Sequence, residues 1–253
     1  MLNIHLSQVL YRGFWKALDW IYPPVCAGCG EPGYRLCVDC LKEIQFINGH
    51  VCKSCGLPVD KKINLCPECV QDPPPFTAMR SLARYEGIIR ECVHALKYKN
   101  NQSLGEFFAE RLTQLVIDLQ WVPELVIPVP LNPIRYAERG YNQSTLLARP
   151  IAYQLDIKYS PFGLERVRNT RSQVELTAEQ RRDNVRGAFT AVPEIVADKS
   201  VLLVDDVTTT GSTIRECAYA LKAGGAAAVY CLTLARPIHL DSMSPLESPS
   251  SII

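Results

Sequence analysis

The sequence lacks any apolar run that approaches the ~18–20 residues needed for a membrane-spanning helix, and it lacks an excess of charge of either sign. Its 27 Lys and Arg residues balance 26 Asp and Glu residues, leaving a formal net charge of +1. With 47% hydrophobic and 21% charged residues, the 253-residue chain can bury a core. We therefore expect a soluble globular protein, and neither a secretory signal, an integral membrane protein nor a collagen-like or disordered chain.

Cysteine, in contrast, is abundant and regularly spaced. Of the 11 cysteines, eight form four Cys-x-x-Cys pairs within residues 26–69. Two such turns supply the four thiolates of a tetrahedral zinc site, so the spacing predicts two zinc sites rather than a disulfide framework. The predicted ligands are Cys26, Cys29, Cys37, Cys40, Cys52, Cys55, Cys66 and Cys69.

The spacing leaves the assignment of these cysteines to the two metals open. The first four could share one ion and the last four the other, or the pairs could be interleaved. A redox dithiol or a chance cluster is the alternative to zinc, and four repeats argue against it. Gly30 and Gly56 each follow the second cysteine of a unit and suit a tight turn, while Cys92, Cys217 and Cys231 are expected to be buried thiols. Reduced, zinc-bound cysteines indicate a cytoplasmic protein.

Beyond the cysteines, strand and helix patterns alternate, which predicts an α/β fold with a parallel sheet. Strands are predicted over 79–85, 124–130, 200–206 and 227–236, and helices over 87–98, 103–119, 142–155 and 211–225, with a kink or break at Pro150.

These patterns also divide the chain. The first segment is an amphipathic helix that either packs onto its own protein or binds a membrane surface or a partner. The predicted organisation is an amphipathic helix over 1–22, a double zinc ribbon over 23–70, a Pro-rich linker over 71–77, the α/β domain over 78–238 and a disordered tail over 239–253.

Positive charge is concentrated in one part of the α/β domain. Residues 135–186 carry ten basic and six acidic side chains, although the whole chain is nearly neutral. If this segment folds over a site, it could face phosphate groups. A solvated arginine-rich surface is the alternative.

A phosphate-binding pattern lies at residues 201–213, which read VLLVDDVTTTGST. An apolar strand ends in Asp205 and Asp206, and a hydroxyl-rich turn containing Gly211 opens the next helix. A helix N-terminus offers free N–H groups and the positive end of its dipole, and adjacent carboxylates suit a diol or a Mg²⁺-bound polyphosphate. A Ser/Thr-capped helix with solvated aspartates is the alternative.

This segment resembles the signature of type I phosphoribosyltransferases, in which two acids hold the ribose hydroxyls and the following loop holds the 5′-phosphate. Further motifs occur in order around it: the cysteine pairs, Tyr85-Glu86-Gly87 with Leu96-Lys97-Tyr98, Pro128-Val129-Pro130 with Arg139-Gly140-Tyr141-Asn142-Gln143, and Arg168, Thr170, Gln173, Arg182 and Asn184. Together they resemble the ComF family of competence-associated proteins, which includes the GntX-type proteins. The resemblance covers roughly residues 20–237.

The resemblance implies a type I phosphoribosyltransferase-like domain behind a zinc-binding ribbon, with phosphoribosyl pyrophosphate (PRPP) and Mg²⁺ at the site. Arg139 would lie in the pyrophosphate loop, and Arg168, Arg171 and Arg182 in a mobile hood over residues 166–184. The implied catalytic residues are Asp205, Asp206 and Arg139. The implied PRPP-binding residues are Asp205, Asp206, Val207, Thr208, Thr209, Thr210, Gly211, Ser212, Thr213, Arg168, Arg182 and Lys97.

One departure bears on the substrate. The 6-oxopurine transferases carry an aspartate where this chain has Thr209, which argues against hypoxanthine or guanine. None of the four histidines falls in the motifs, but phosphoribosyl transfer depends mainly on Mg²⁺, cationic loops and ribose positioning.

The family resemblance implies a role in competence-linked DNA uptake or in handling incoming single-stranded DNA, with a helicase or the uptake machinery as partner. An active phosphoribosyltransferase of nucleotide salvage is the alternative. A zinc-ribbon scaffold with a purely structural α/β domain is a third reading.

Overall fold

The computed structural model describes residues 24–99, 101, 103–168 and 178–238, without the side chains of 178, 179, 181 and 182. The predicted helix over 1–22 and the predicted tail over 239–253 lie outside these residues. Within them, no helix is both long and apolar enough to cross a membrane.

A five-stranded parallel sheet forms the centre of the α/β domain, as the alternating pattern predicted. Its order is β1-β7-β6-β2-β3, and every neighbouring pair runs parallel. The strands are β1 (Ala78–Arg84), β2 (Leu125–Pro128), β3 (Lys158–Tyr159), β6 (Ser200–Val207) and β7 (Ala228–Arg236).

Helices cover both faces of this sheet, because its inner strands are apolar on both sides. Along β6, Leu202 and Val204 join one buried cluster, while Val201 and Leu203 join another. The helices of the domain are α3 (Gly87–Tyr98), α4 (Ser103–Asp118), α5 (Pro133–Arg139), α6 (Gln143–Leu155), α7 (Ala178–Val185), α8 (Pro193–Val196) and α9 (Ser212–Ala223).

The arginine-rich stretch leads into a small separate sheet. Strand β4 (Leu164–Arg166) pairs antiparallel with β5 (Phe189–Ala191). Helix α7 lies between these two strands in the chain, and α9 packs against it. This small sheet was not among the predicted elements, because three-residue strands carry almost no periodic signal.

The cysteine module consists of two similar units with little regular structure. Each unit closes on an isolated antiparallel bridge, Val25 with Pro32 in the first and Val51 with Pro58 in the second. A five-residue helix follows the third cysteine of each unit: α1 (Val38–Lys42) and α2 (Pro67–Gln71).

This module lies against the outer edge of the sheet at β1. Phe46 bridges Ala83 in antiparallel fashion, and the N–H of Met79 donates to the carbonyl of Ser54 at 2.7 Å. The predicted linker is also held in place, since Asp72 pairs with Arg215 of α9 at 2.6 Å. The edge strand is therefore covered by the cysteine module.

The sequence predicted the larger elements within one or two residues of their observed ends. Helix α6 continues through Pro150, so of the predicted kink or break the break does not occur. The loop predicted after β2 contains the short helix α5, which begins at a proline and ends before Gly140 in the left-handed region.

Candidate functional site

Asp205 and Asp206 lie at the carboxyl end of β6, where parallel sheets bind ligands. Both are buried, and Ser144 in the first turn of α6 donates its hydroxyl to Asp205 Oδ1 at 2.7 Å. The backbone N–H of Asp206 donates to the same oxygen at 2.9 Å. One oxygen of Asp205 is thus held by the protein, and this fixes the orientation of the carboxyl group.

Asp206 forms an ion pair with Lys97 from α3, with 2.8 Å between Oδ2 and Nζ. The Asp206 side chain is only 4% exposed and that of Lys97 is 22% exposed, so water screens the pair weakly. The structure therefore brings the predicted phosphate contact Lys97 directly to the acid pair.

The two carboxyl groups titrate differently because of their surroundings. Burial raises the pKa of Asp205, and the neighbouring carboxylate of Asp206 raises it further, to about 7. Burial also acts to raise the pKa of Asp206, but the Lys97 ammonium outweighs it and holds that pKa below its usual range. Near neutral pH Asp206 is therefore ionised, whereas Asp205 changes between its protonated and ionised forms.

The loop after the acid pair forms a compact turn at the N-terminus of α9. Gly211 has φ +76°, in the left-handed region that favours glycine. The hydroxyls of Thr210 and Ser212 lie 2.8 Å apart and share a hydrogen bond. Thr208 Oγ1 is buried and has no hydrogen-bond partner among the described residues, which leaves it able to bind a ligand oxygen.

Arg139 lies at the end of α5 and extends to Tyr98, the residue after Lys97. Its guanidinium donates to Gln143 Oε1 at 2.9 Å and lies 5.0 Å from the centre of the Tyr98 ring. Tyr141 donates its hydroxyl to the carbonyl of Leu96. These contacts join the loop after β2 to the end of α3.

A pocket of about 170 Å³ opens at this junction, lined by Lys97, Tyr98, Glu138, Arg139 and Tyr141. It brings together two of the predicted cationic residues, one from α3 and one from α5.

The predicted hood residue Arg168 is not brought to the acid pair as Lys97 is. The Arg168 guanidinium donates to the carbonyls of Asn184 at 3.1 Å and Arg186 at 2.6 Å, at the C-terminal end of α7. In this conformation Arg168 stabilises the helix end rather than facing the acid pair. The side chain of Arg182 and the whole of Arg171 lie outside the described part of the chain.

The eight predicted zinc ligands form two tight clusters. Within each cluster the four Sγ atoms all lie within 4.8 Å of one another. The grouping is the sequential one, so the interleaved pairing does not occur. The clusters are Cys26, Cys29, Cys37 and Cys40, and Cys52, Cys55, Cys66 and Cys69.

The backbone prepares both clusters for thiolates in the same way. The N–H of Cys37 donates to Cys26 Sγ, and the N–H of Cys66 donates to Cys52 Sγ, both at 3.3 Å. Burial acts to raise the pKa of Cys26 and Cys52, but backbone N–H donors outweigh it and lower the values to about 6 and about 7. Four convergent thiols with such donors fit a tetrahedral zinc ion.

The remaining cysteines are fully buried, as predicted; they are Cys92, Cys217 and Cys231.

Two contributors to the site were missed by sequence reasoning. Ser144 orients Asp205, and Tyr98 lies beside Arg139. Tyr98 belongs to the Leu96-Lys97-Tyr98 motif of the family resemblance. This motif is the one sequence signal that pointed to Tyr98. Ser144 directly follows such a motif, but only the packing of α6 on β6 brings it to the acid pair.

Two family models match separate parts of the chain. Residues 17–70 match the double zinc ribbon domain, and residues 142–245 match the phosphoribosyl transferase domain. Among solved structures, glutamine PRPP amidotransferase from B. subtilis is 24% identical with a TM-score of 0.39, covering 53% of this chain and 26% of that one. Adenine phosphoribosyltransferase from Leishmania donovani is 14% identical with a TM-score of 0.37, covering 81% and 92%.

Curated relatives match along most of the chain. The DNA utilization protein YhgH of Salmonella typhi is 32% identical over 225 residues, covering 85% of this chain and 98% of that protein. Competence protein F of Haemophilus influenzae is 31% identical, covering 79% and 90%. Competence protein ComFC of Bacillus subtilis is 26% identical, covering 91% and 92%. With both domains matched in the same order, the chain belongs to the ComF family of competence and DNA-utilization proteins, which join a double zinc ribbon to a phosphoribosyltransferase domain.

Proposed function

We propose that the chain binds a PRPP-like phosphoribosyl ligand at the end of β6 and acts in handling incoming single-stranded DNA. The main observation in support of this ligand-binding site is the buried acid pair Asp205–Asp206, which lies shortly before the turn at Gly211. The acids would hold the ribose diol, and residues 207–213 would hold the 5′-phosphate on the helix N-terminus.

The residues present fit Mg²⁺ bound together with PRPP. The acid pair supplies buried carboxylate oxygens, and Thr208 Oγ1 is buried without a hydrogen-bond partner among the described residues. Hard oxygen donors of this kind suit Mg²⁺, which when bound would offset the charge of the pyrophosphate. Lys97 and Arg139 would bind its outer oxygens, and Arg168 and Arg182 would close over it if the hood moves.

Thermal unfolding with PRPP and Mg²⁺ tests the pocket. The wild-type chain should gain several degrees at saturating ligand, because a ligand that binds only the folded state stabilises it. The double variant Asp205→Asn, Asp206→Asn should gain nothing, whereas Asp118→Asn, on the exposed end of α4, should behave as wild type. A wild-type chain that PRPP does not stabilise would rule the pocket out.

The raised pKa of Asp205 makes this binding pH-dependent. Because the ligand-free chain keeps Asp205 largely protonated below about pH 7, Mg²⁺ that binds with the ligand at this carboxyl group would have to displace that proton. The stabilisation by PRPP with Mg²⁺ should therefore be larger at pH 8 than at pH 6, and Asp205→Asn should abolish the difference. In the free chain the sign is opposite: the raised pKa favours the fold at low pH, and that contribution is lost as pH rises through about 7.

Turnover separates a binding protein from an enzyme of nucleotide salvage. If the pocket is active, pyrophosphate should be released when a nucleobase is supplied with PRPP and Mg²⁺, and Arg139→Met should abolish the release. Hypoxanthine and guanine are the bases least expected to react, given Thr209. Pyrophosphate release that does not depend on any base of a broad panel would indicate hydrolysis of PRPP. No pyrophosphate release under any condition would leave ligand binding as the function.

The role in DNA handling is supported by what the relatives are called, namely DNA utilization and competence proteins. We propose single-stranded DNA as ligand, a helicase or the uptake machinery as partner, and the reducing cytoplasm as location, since the zinc-site thiols must stay reduced. Binding of a single-stranded oligonucleotide at 50 and 200 mM salt tests the first point; no binding at the lower salt would exclude it.

A further inference from the structure

A row of planar side chains stands at the pocket, and its two exposed rings have no part in the function argued so far. It consists of His94, Tyr98 and Arg139, here called the aromatic ladder. The rings of His94 and Tyr98 lie 4.8 Å apart, and the Arg139 guanidinium carbon lies 5.0 Å from the Tyr98 ring centre. Three planar groups in contact offer faces on which another planar group can stack.

The ladder is open to solvent. Tyr98 is 60% exposed although it is a large aromatic residue, and His94 is exposed one turn earlier on α3. The helix that carries Arg139 has no buried residue, and its Tyr136 is also exposed. Large aromatic side chains that stay exposed at a pocket mouth are suited to binding a planar ligand.

Positive charge lies directly beside these rings. Lys97 and Arg139 line the same pocket as Tyr98, and Lys97 reaches the acid pair through Asp206. A strand whose base lies on the ladder would therefore bring its phosphates next to these two cations. Alternating phosphate contacts and ring stacking is how proteins bind single-stranded nucleic acid without reading its sequence.

We propose that the aromatic ladder is a nucleobase-stacking site, with Tyr98 as its central ring, that binds an unpaired base of a single-stranded nucleic acid next to the phosphoribosyl pocket. The inference rests on the proposed function in that it takes a nucleic-acid strand as the ligand, and it adds where the strand is held. Lys97 and Arg139 contact its phosphates, while the base stacks on Tyr98.

Binding of a 5′-phosphorylated oligothymidylate to the zinc-loaded full-length chain tests the site. Tyr98→Ala should weaken binding about tenfold, since stacking of one base is worth ~1–3 kcal/mol. Tyr98→Phe keeps the ring and should bind nearly as wild type. The matched control is Tyr153→Ala, because Tyr153 also carries an arginine over its ring, Arg149 at 5.6 Å, but does not line the pocket.

An oligonucleotide of the same length without bases separates stacking from phosphate contact. It should bind the wild-type chain about as weakly as the intact oligonucleotide binds Tyr98→Ala. Equal affinity of wild type and Tyr98→Ala for the intact strand, or equal affinity of the wild type for both strands, would overturn the stacking site.

The same variants keep this inference distinguishable from the proposed pocket. Thermal stabilisation of the wild-type chain by PRPP and Mg²⁺ reports on the pocket, whereas the effect of Tyr98→Ala on DNA affinity reports on the ladder. PRPP stabilisation with no effect of Tyr98→Ala on DNA binding removes the ladder alone. A Tyr98-dependent DNA affinity without PRPP stabilisation removes the pocket alone.

Discussion

The two zinc ribbons have nearly the same backbone but lie in different surroundings. In each, the N–H of the glycine after the second cysteine donates to the carbonyl of the first cysteine at 2.9 Å, and that glycine has a positive φ. In each, the third cysteine precedes a short helix. The equal Cys-x-x-Cys-Gly spacing therefore produces the same turn in both ribbons, although the second and third cysteines are 8 residues apart in the first ribbon and 11 in the second.

The first ribbon is part of the main core. Its Cys26, Cys37 and Cys40 belong to the same buried cluster as Ile89 and Cys92 of α3. Since α3 also carries Lys97 at its other end, one helix connects this ribbon to the acid pair.

The second ribbon is attached by hydrogen bonds and by Cys55, which packs against a core cluster of the α/β domain. Its Cys52, Cys66 and Cys69 form a small cluster of their own. Arg80 of β1 donates to the carbonyl of Lys53 at 3.1 Å, and Arg236 of β7 donates to the carbonyl of Cys55. The comparison indicates that the first ribbon supports the α/β domain, whereas the second is supported by it.

The largest difference should follow from removing one ligand of each cluster. Cys40→Ser should destabilise the whole chain by about 3 kcal/mol or more, lowering the unfolding midpoint by roughly 10 °C, because it opens the main core. Cys69→Ser should remove one zinc ion as well, but shift the midpoint of the α/β domain by less than about 3 °C. Zinc content and differential scanning calorimetry measure both.

Cys40→Ser should also weaken stabilisation by PRPP, through α3, while Cys69→Ser should not. Equal midpoints and equal PRPP responses for the two variants would contradict the asymmetry between the ribbons.

Substitution of the glycines after the second cysteine of each ribbon, Gly30 and Gly56, should give the next largest effect. Here the second ribbon should be more sensitive than the first. A Cβ at Gly56 would lie 2.5 Å from the carbonyl oxygen of Met79, whereas a Cβ at Gly30 would meet nothing within 4 Å. Both alanine variants carry the strain of a positive φ, about 1 kcal/mol. Gly56→Ala should cost about 2 kcal/mol more than Gly30→Ala, because the second ribbon must move off β1. Urea unfolding curves measure this; similar midpoints would show that the contact at Met79 yields easily.

The residue before the second cysteine also differs between the two ribbons. Gly28 corresponds to Ser54, and a Cβ at Gly28 would lie 2.7 Å from Cys40 Sγ and 3.1 Å from Ile88 Cδ1. Gly28→Ser should therefore destabilise the chain by about 2 kcal/mol through overpacking, and Ser54→Gly by less than about 0.5 kcal/mol. Thermal unfolding of the two exchanged variants measures both free-energy changes. If Gly28→Ser left the unfolding midpoint unchanged, the first ribbon would be packed no more tightly than the second.

The smallest effect concerns the arginines that hold the second ribbon. Arg80→Met and Arg236→Met should each cost about 1–2 kcal/mol by leaving carbonyl groups of that ribbon without their donors. Lys42→Met on the first ribbon is the control, because its pair with Asp39 is exposed and worth little. Hydrogen exchange should become faster in residues 52–69 and stay unchanged in residues 26–40. Unchanged exchange in the second ribbon would show that its attachment depends on other contacts.

Sequence reasoning performed best where the signal was local. The amphipathic period over 87–98 predicted α3 at its observed bounds, and the run from Val201 to Thr213 predicted a strand, a turn and a helix. It performed worst for contacts between distant segments. Nothing near Asp205 indicates that Ser144 would orient it, and nothing near Arg168 indicates that its guanidinium would bind the end of α7.

The sequence by itself determined the eight cysteine ligands and the turns that hold them, and an acid pair before a glycine-containing loop, whereas the division of the cysteines into two sequential clusters came from the structure. Such features depend on neighbours a few residues apart, whose geometry the backbone limits strongly. Only the tertiary structure decided that Lys97 pairs with Asp206, that Arg139 lies on Tyr98, and that the two ribbons differ in their attachment. Those contacts depend on how whole helices pack against the sheet, because packing of the shared core sets which distant side chains meet.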